Sequence, residues 1–142
     1  MLKDNIDRYY FDGNFNCAES LMLAANDYYD LKMTEKEIRA VGGFGAGMQT
    51  GNVCGALLAA ISVLSELYIE KKAHESEDIK PVVTMLTDRF TEAFGGTILC
   101  KDVKYANFVE GKRCHKTVTR ACDVLEKVIT EYERGMHRSL KF

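Results

Sequence analysis

Proline is nearly absent from this chain, and its scarcity limits the available folds more than any other feature. Only Pro81 occurs among 142 residues. Long segments place apolar residues three and four positions apart instead of in alternation, which is the spacing of one helical face. The sequence therefore predicts an all-α fold, and we expect about four to six helices packed as one bundle-like domain over residues 1–142.

Capping signals predict where the helices begin. Asn16 and Thr34 are each followed three residues later by a glutamate, which is the spacing of a capping box. A strongly apolar helix is expected after Asn52 and up to about Glu70. The other expected helices run from Asp4 to about Tyr10, from an Asp78 cap to Gly95, and from about Val109 to Tyr132.

Small residues recur every four positions in the middle of the chain, at Gly43, Gly47, Gly51, Gly55 and Ala59. This spacing lines them along one helical face, where another backbone can approach closely. Each interior glycine costs a helix up to about 1 kcal/mol relative to alanine. We therefore expect tight helix packing or a break near residues 49–52, in preference to a cofactor bound on this face. A phosphate loop is disfavoured, because no predicted strand precedes the run and its spacing does not fit.

Charge and hydropathy argue against two classes of partner. The formal net charge is −2, from 19 basic and 21 acidic residues scattered along the chain, so no basic stripe is available for nucleic acid. The most apolar stretch, 53–64, is shorter than the ~20 residues needed to span a bilayer. Charges also interrupt the N-terminal segment, unlike a signal peptide. We expect a cytoplasmic protein without nucleic-acid partners or membrane insertion.

Aromatic residues cluster toward the N-terminus, where they provide more aromatic surface than a small domain readily buries. This surface predicts a homo-oligomer. The residues are Tyr9, Tyr10, Phe11, Tyr28 and Tyr29. The histidines, by contrast, are dispersed among charged neighbours, and we expect them to be solvated instead of forming a catalytic set. They are His74, His115 and His137.

The five cysteines are the residues best suited to chemistry. Without a secretion signal they are expected to be reduced, and an odd number cannot pair completely within one chain. Cys17 follows the predicted Asn16 cap and Cys54 lies within a turn of Asn52, so helix N-termini are expected to lower both thiol pKa values. Inert buried thiols are the alternative, since free cysteine is commonly buried.

The other cysteines lie in less regular settings. Cys100 follows the Gly95-Gly96 break in a loop-like segment, whereas Cys114 shares a face of the expected final helix with Val118. No Cys-x-x-Cys pair occurs, which argues against a thioredoxin-type pair and against a zinc knuckle.

Several short motifs together resemble one known family. They are Asn16-Cys17-Ala18-Glu19, the run from Gly42 to Met48, the run from Gly51 to Ala56 around Cys54, and then Cys100 and Cys114. Over nearly the whole chain this pattern resembles the putative redox-active family named for its C, GCAxxG, C, C signature. The resemblance implies a small helical protein with a redox role inferred from four cysteines, and no established substrate. Ala59 replaces the expected second motif glycine, and Cys122 lies outside the signature.

Three functions remain open from the sequence. In the leading hypothesis the chain performs thiol–disulfide chemistry with a redox partner protein, Cys54 attacking as thiolate and Cys17 resolving. In the second, Cys17, Cys54, Cys100 and Cys114 hold zinc or an iron–sulfur cluster. In the third, the thiols are structural. Small residues beside Cys17 and Cys54 lead us to expect the two to approach each other, with Cys100 and Cys114 nearby.

Overall fold

Six α-helices dominate the computed structural model, which describes residues 1–136. They are α1 (Cys17–Tyr28), α2 (Glu35–Arg39), α3 (Gly55–Tyr68), α4 (Ile79–Ala93), α5 (Cys100–Asn107) and α6 (His115–Gly135). Short 3₁₀ and π turns connect them, so the all-α prediction is confirmed. Within the described range no helix is both long enough and apolar enough to cross a membrane. His137 lies outside that range.

Predicted N-cap residues account for two helix starts, with a complete capping box at Asn16 and a bond to the Thr34 side chain alone at the second start. The Asn16 side chain accepts a hydrogen bond from the Glu19 amide at 2.9 Å, and the Glu19 carboxylate accepts from the Asn16 amide at 3.1 Å. The Thr34 hydroxyl accepts from the Glu37 amide at 3.2 Å. These bonds satisfy amides that have no partner within their own helix, which is why α1 and α2 begin where they do.

The start of α4 differs from the prediction in its chemistry. Asp78 occupies the expected N-cap position, but its side chain makes no capping bond. Its carboxylate instead accepts a hydrogen bond from the Tyr132 hydroxyl at 2.7 Å, which joins the start of α4 to α6. The Ser76 hydroxyl accepts from the Ile79 amide at 3.2 Å and takes over the capping role.

The predicted first helix is confirmed as one continuous helical run over residues 2–12, although its geometry changes from 3₁₀ at Leu2–Asn5 to π at Arg8–Asp12. Two other predictions of helix position are wrong. The final helix begins at residue 115 and not at 109, because left-handed backbone at Gly111 (φ +81°) and Arg113 (φ +52°) forms a tight turn. Helix α5 occupies a segment that the sequence analysis treated as a loop.

One hydrophobic core joins the main helices. Helix α1 packs chiefly on α3, and α4 packs on α6. Leu21, Leu57, Phe90 and Leu125 are at most 1% exposed, and burial of each such side chain stabilises the fold by about 1.5–3 kcal/mol. Ala59 is also fully buried, so its small side chain preserves the close packing expected of the family glycine.

The N-terminal aromatic residues divide between core and surface. Tyr10 and Tyr29 are buried, whereas Phe11 and Tyr28 are each 38% exposed. Part of the aromatic surface on which the oligomer prediction rests is therefore buried within the chain itself.

Candidate thiol site

The four signature cysteines stand at the starts of four different helices. Cys17 and Cys100 are the first residues of α1 and α5, and Cys54 and Cys114 are the N-cap residues of α3 and α6. The predicted positions of Cys17 and Cys54 near helix starts are confirmed. The predicted positions of Cys100 in a loop and of Cys114 inside the final helix are wrong, because the boundaries of α5 and α6 differ.

These four cysteines line one partly open pocket of about 190 Å³. Cys122 is fully buried in α6 and does not line it. The pocket residues are Tyr10, Asn16, Cys17, Ala46, Cys54, Gly55, Cys100, Val103, Lys104, Phe108, Arg113, Cys114 and Thr117. Residues far apart in the sequence are thus brought to one place, as the sequence analysis expected for the four thiols.

An isolated antiparallel bridge holds the segments that carry Cys54 and Cys100. It pairs Val53 with Leu99. The Cys54 amide donates to the Ile98 carbonyl at 2.8 Å, and the Cys100 amide donates to the Asn52 carbonyl at 2.6 Å. Because neighbouring residues of extended backbone point to opposite faces, Cys54 and Cys100 lie on the same face of this bridge.

The absence of a side chain at Gly55 lets Cys17 approach the start of α3. A Cβ atom added at Gly55 would lie 2.5 Å from the Phe44 carbonyl oxygen and 3.0 Å from the Cys17 sulfur. No real Cβ fits at the first distance, and the second is unusually tight. The Cys17 sulfur therefore lies against the residue that directly follows Cys54.

A left-handed turn contributes one residue, Ala46, to the lining of the pocket. Ala46, Gly47, Met48 and Gln49 have φ values of +52°, +60°, +61° and +62°. Such backbone costs about 1–2 kcal/mol for each residue that has a side chain, and strain of this kind concentrates at functional sites. The turn interrupts the run of glycines close to the break predicted near residues 49–52. The five small residues therefore do not lie on one helical face.

Close contacts hold this turn against α1 and α5. A Cβ atom added at Gly47 would lie 2.5 Å from the Cys100 Cβ and 2.6 Å from the Asn52 carbonyl oxygen. The Asn16 side-chain amide donates to the Gly42 carbonyl at 2.9 Å. The cap of the Cys17 helix therefore also anchors the glycine-rich segment.

Tyr10 fixes the position of Cys114. Its hydroxyl accepts a hydrogen bond from the Cys114 amide at 2.9 Å, and its backbone carbonyl accepts from the Arg113 guanidinium at 2.8 Å. The guanidinium also lies 4.4 Å from the centre of the Tyr10 ring. The sequence indicates Tyr10 only as part of an aromatic surface, because no local motif links it to a cysteine about a hundred positions later.

Comparison with protein families identifies the pattern. A family model described as "Putative redox-active protein (C_GCAxxG_C_C)" matches residues 15–128. The chain belongs to this family. The match includes all four pocket cysteines, and the family description supports a redox-related role. Searches of curated proteins and of solved structures found no match.

Burial raises the pKa of all four signature thiols in this C_GCAxxG_C_C protein. For Cys17, burial and then the charge of Cys54 raise the pKa to about 12. Burial also raises the pKa of Cys54, although backbone amides in the first turn of α3 oppose the shift. The expectation that helix starts lower these pKa values is wrong, because loss of hydration outweighs the helix N-terminus.

The remaining two thiols lie beside positive charge. Burial raises the pKa of Cys100, and Lys104 opposes this effect. Burial and then the charge of Cys100 raise the pKa of Cys114, whereas Lys104 and Arg113 lower it. Cys100 is thus the one signature thiol whose pKa is not raised further by another cysteine.

One finding concerns metal binding. Among residues 1–136, no group of three or more histidines, cysteines, aspartates and glutamates is arranged to hold a metal ion.

The surroundings of His115 differ from the prediction. His115 was expected to be solvated, but its ring is half-buried. It pairs with Asp7 at 2.6 Å and stacks on Phe11 with ring centres 4.8 Å apart.

Proposed function

We propose that this protein performs thiol–disulfide exchange in the four-cysteine pocket. One observation carries the proposal: four thiols from four separate helix starts line the same cavity. Inert thiols have no need of a common location. Cys122, which is fully buried elsewhere in α6, has the position expected of an inert thiol. Reduced thiols of this kind suit a reducing compartment such as the cytoplasm.

Within the pocket, we assign the attacking role to Cys54 and the resolving role to Cys17. The backbone amides of Ala56 and Leu57 favour the Cys54 thiolate, and Cys54 is the cysteine whose charge acts most strongly on Cys17. The Cys17 sulfur lies against Gly55, the residue that directly follows Cys54. These contacts support a disulfide between the two.

The reaction balances with a disulfide as oxidant. The Cys54 thiolate attacks one sulfur of the substrate disulfide, forming a mixed disulfide and expelling the other half as a thiolate. The Cys17 thiolate then attacks the Cys54 sulfur, expels the second half, and leaves a protein disulfide. Two electrons pass to the substrate, whose two thiolates take up the protons lost by the cysteines. A redox partner protein would return the disulfide to the dithiol.

Trapping the first intermediate tests this assignment. Cys17→Ser should accumulate a mixed disulfide on Cys54 when treated with an aromatic disulfide, whereas the wild-type protein should pass on to an internal disulfide. Cys122→Ser is the matched control and should behave as wild type. Peptide mapping by mass spectrometry locates the adduct. An adduct on Cys100 would contradict the role given to Cys54, and no adduct on any pocket cysteine would contradict the function.

Metal analysis distinguishes the alternative in which the same cysteines bind a metal. Protein purified without an affinity tag should contain no near-stoichiometric zinc or iron and should gain an internal disulfide under mild oxidant. Near-stoichiometric metal, removed only together with loss of fold, would favour a binding module instead.

We also propose a homo-oligomer, since Phe11 and Tyr28 are each 38% exposed at one end of the sequence. Light scattering at high concentration should give a mass above that of one chain. A strict monomer would contradict the proposal.

A further inference from the structure

The charged residues that line the pocket are positive. Lys104 and Arg113 are its charged lining residues, and no carboxylate lines it in the described part of the chain. Lys104 lies four residues after Cys100, on the same face of α5, and its amine is 5.3 Å from the centre of the Phe108 ring. Neither cation forms an ion pair with a carboxylate within residues 1–136.

A buried hydroxyl without a partner belongs to another residue that lines the pocket. Thr117 lines the pocket and is 3% exposed, and its hydroxyl oxygen has no hydrogen-bond partner. Leaving such a group unsatisfied costs about 1–3 kcal/mol, so a buried hydroxyl usually has a partner. A ligand oxygen that reached this residue would supply the missing partner.

The N-terminus of α6 adds to the same preference for negative charge. Helix α6 is 21 residues long, and no side chain caps its start at Cys114. Its dipole therefore favours an anion at the end where Cys114 and Thr117 stand. The Asp7 carboxylate is paired with His115, the first residue of α6, at 2.6 Å.

From these contacts we propose that the pocket binds small disulfides and thiols that carry a carboxylate, with the acid group held by Lys104, Arg113 and the Thr117 hydroxyl. This inference rests on the proposed thiol–disulfide function and names its substrate class. A cavity of about 190 Å³ accommodates a small molecule or part of one. Val103 and Phe108 supply apolar surface for the carbon chain.

The acid group places the reacting sulfur. With its carboxylate on Lys104 and Arg113, the substrate disulfide lies between these cations and the cysteines. A pocket thiolate then attacks one sulfur and a substrate thiolate leaves, with the same electron and proton balance as above. The cations hold the substrate and take no part in the transfer of electrons.

Three disulfides of matched size test the charge preference. They are 3,3′-dithiodipropionate, which is anionic, bis(2-hydroxyethyl) disulfide, which is neutral, and cystamine, which is cationic. The reduced protein should react about tenfold faster with the anionic compound than with the cationic one at low salt, and added salt should narrow the difference. Equal rates for the three compounds would overturn the proposal while leaving thiol chemistry intact.

Charge-removing variants locate the effect. Lys104→Gln should remove most of the preference for the anionic disulfide, about tenfold. Lys101→Gln is the matched control, because Lys101 is on the same helix but does not line the pocket. Arg113→Gln should act like Lys104→Gln, with Lys112→Gln as its control. If Lys104→Gln and Lys101→Gln have the same effect, the anion site is not at Lys104.

A redox-inert probe separates binding from thiol chemistry. Octanedioate replaces the two sulfurs of 3,3′-dithiodipropionate with methylene groups, and hexane-1,6-diamine does the same for cystamine. Nuclear magnetic resonance titration should show octanedioate, and not the diamine, shifting signals of α5 and α6. Failure of octanedioate to bind would overturn this proposal. Binding without any internal disulfide under oxidant would leave the anion site in place and reject the redox function.

Thr117→Val gives a second test that does not depend on loss of fold. Replacing an unsatisfied buried hydroxyl with a methyl group should raise the melting temperature, since a desolvated polar atom is removed. The same change should weaken octanedioate binding about tenfold. A variant that is more stable and binds octanedioate as tightly as wild type would show that the hydroxyl does not contact the ligand.

Discussion

Replacing Gly55 with alanine tests whether the start of α3 must stay bare for Cys17 to reach it. The added Cβ would lie 2.5 Å from the Phe44 carbonyl oxygen and 3.0 Å from the Cys17 sulfur. The first of these atoms belongs to backbone, so the clash is not relieved by rotation of a side chain. Either the glycine-rich segment or the start of α3 has to move.

The expected cost follows from two opposing effects. Overpacking of this kind costs about 1–3 kcal/mol, whereas alanine is favoured over glycine in a helix by up to about 1 kcal/mol. We expect Gly55→Ala to lose about 1–2 kcal/mol of unfolding free energy, which corresponds to a fall of roughly 3–8 °C in melting temperature. Displacement of the Cys17 sulfur should also slow formation of its disulfide with Cys54 about tenfold.

Gly43→Ala is the matched control. Nothing lies within 4 Å of a Cβ built at Gly43, so this variant should be as stable as wild type or gain up to about 1 kcal/mol. Differential scanning calorimetry gives the stabilities, and alkylation of the remaining free thiols at timed intervals gives the oxidation rates. If Gly55→Ala matches Gly43→Ala in both measurements, the reasoning about close approach at α3 is refuted.

Three further expectations concern the same site. Gly47→Ala should lower the free energy of unfolding, measured in urea, by about 3 kcal/mol. The new Cβ would meet the Cys100 Cβ at 2.5 Å, and the alanine would have to adopt left-handed backbone. An unchanged urea midpoint would contradict this. Asn16→Ala should cost about 1–2 kcal/mol through the lost cap, with Asn16→Ser largely retaining stability; equal losses would contradict the capping role. Stability should also fall as pH rises from 9 to about 12, since folding raises the pKa of Cys17 and the unfolded chain gives up that proton first; a Cys17→Ala variant with the same pH slope would reject this.

Local patterns in the sequence were sufficient for the helical fold and for one wall of the site. Asn16 and Glu19 form the capping box that their spacing predicts, and Cys17 follows it directly. Such features depend on residues within one turn of each other, so the sequence displays them. The motif around Cys54 likewise places its thiol at a helix start.

The other half of the site depends on backbone that sequence patterns describe poorly. The left-handed conformations at Met48 and Gln49 are unusual for residues with side chains, and no propensity rule predicts them. The turn at Gly111 shortens the final helix and converts Cys114 from a helical residue to a cap. Contacts of Tyr10 with Cys114 join distant segments and leave no local signal.

The pKa error has a different physical origin. A helix N-terminus lowers the pKa of an exposed thiol, and the prediction for Cys17 and Cys54 follows from this rule. Whether a thiol is exposed depends on tertiary packing, and Cys54 is 3% exposed in the folded chain. Burial therefore decides the direction of the shift.

A redox titration of the wild-type protein, followed by disulfide mapping, tests the central claim most directly. The protein is equilibrated in glutathione buffers of graded potential, its free thiols are alkylated, and peptides are identified by mass spectrometry. We expect one two-electron transition, with a Cys17–Cys54 disulfide forming within a single chain and Cys122 alkylated throughout. Pocket cysteines that stay fully alkylated at every potential, or that form disulfides only between chains, would contradict the account.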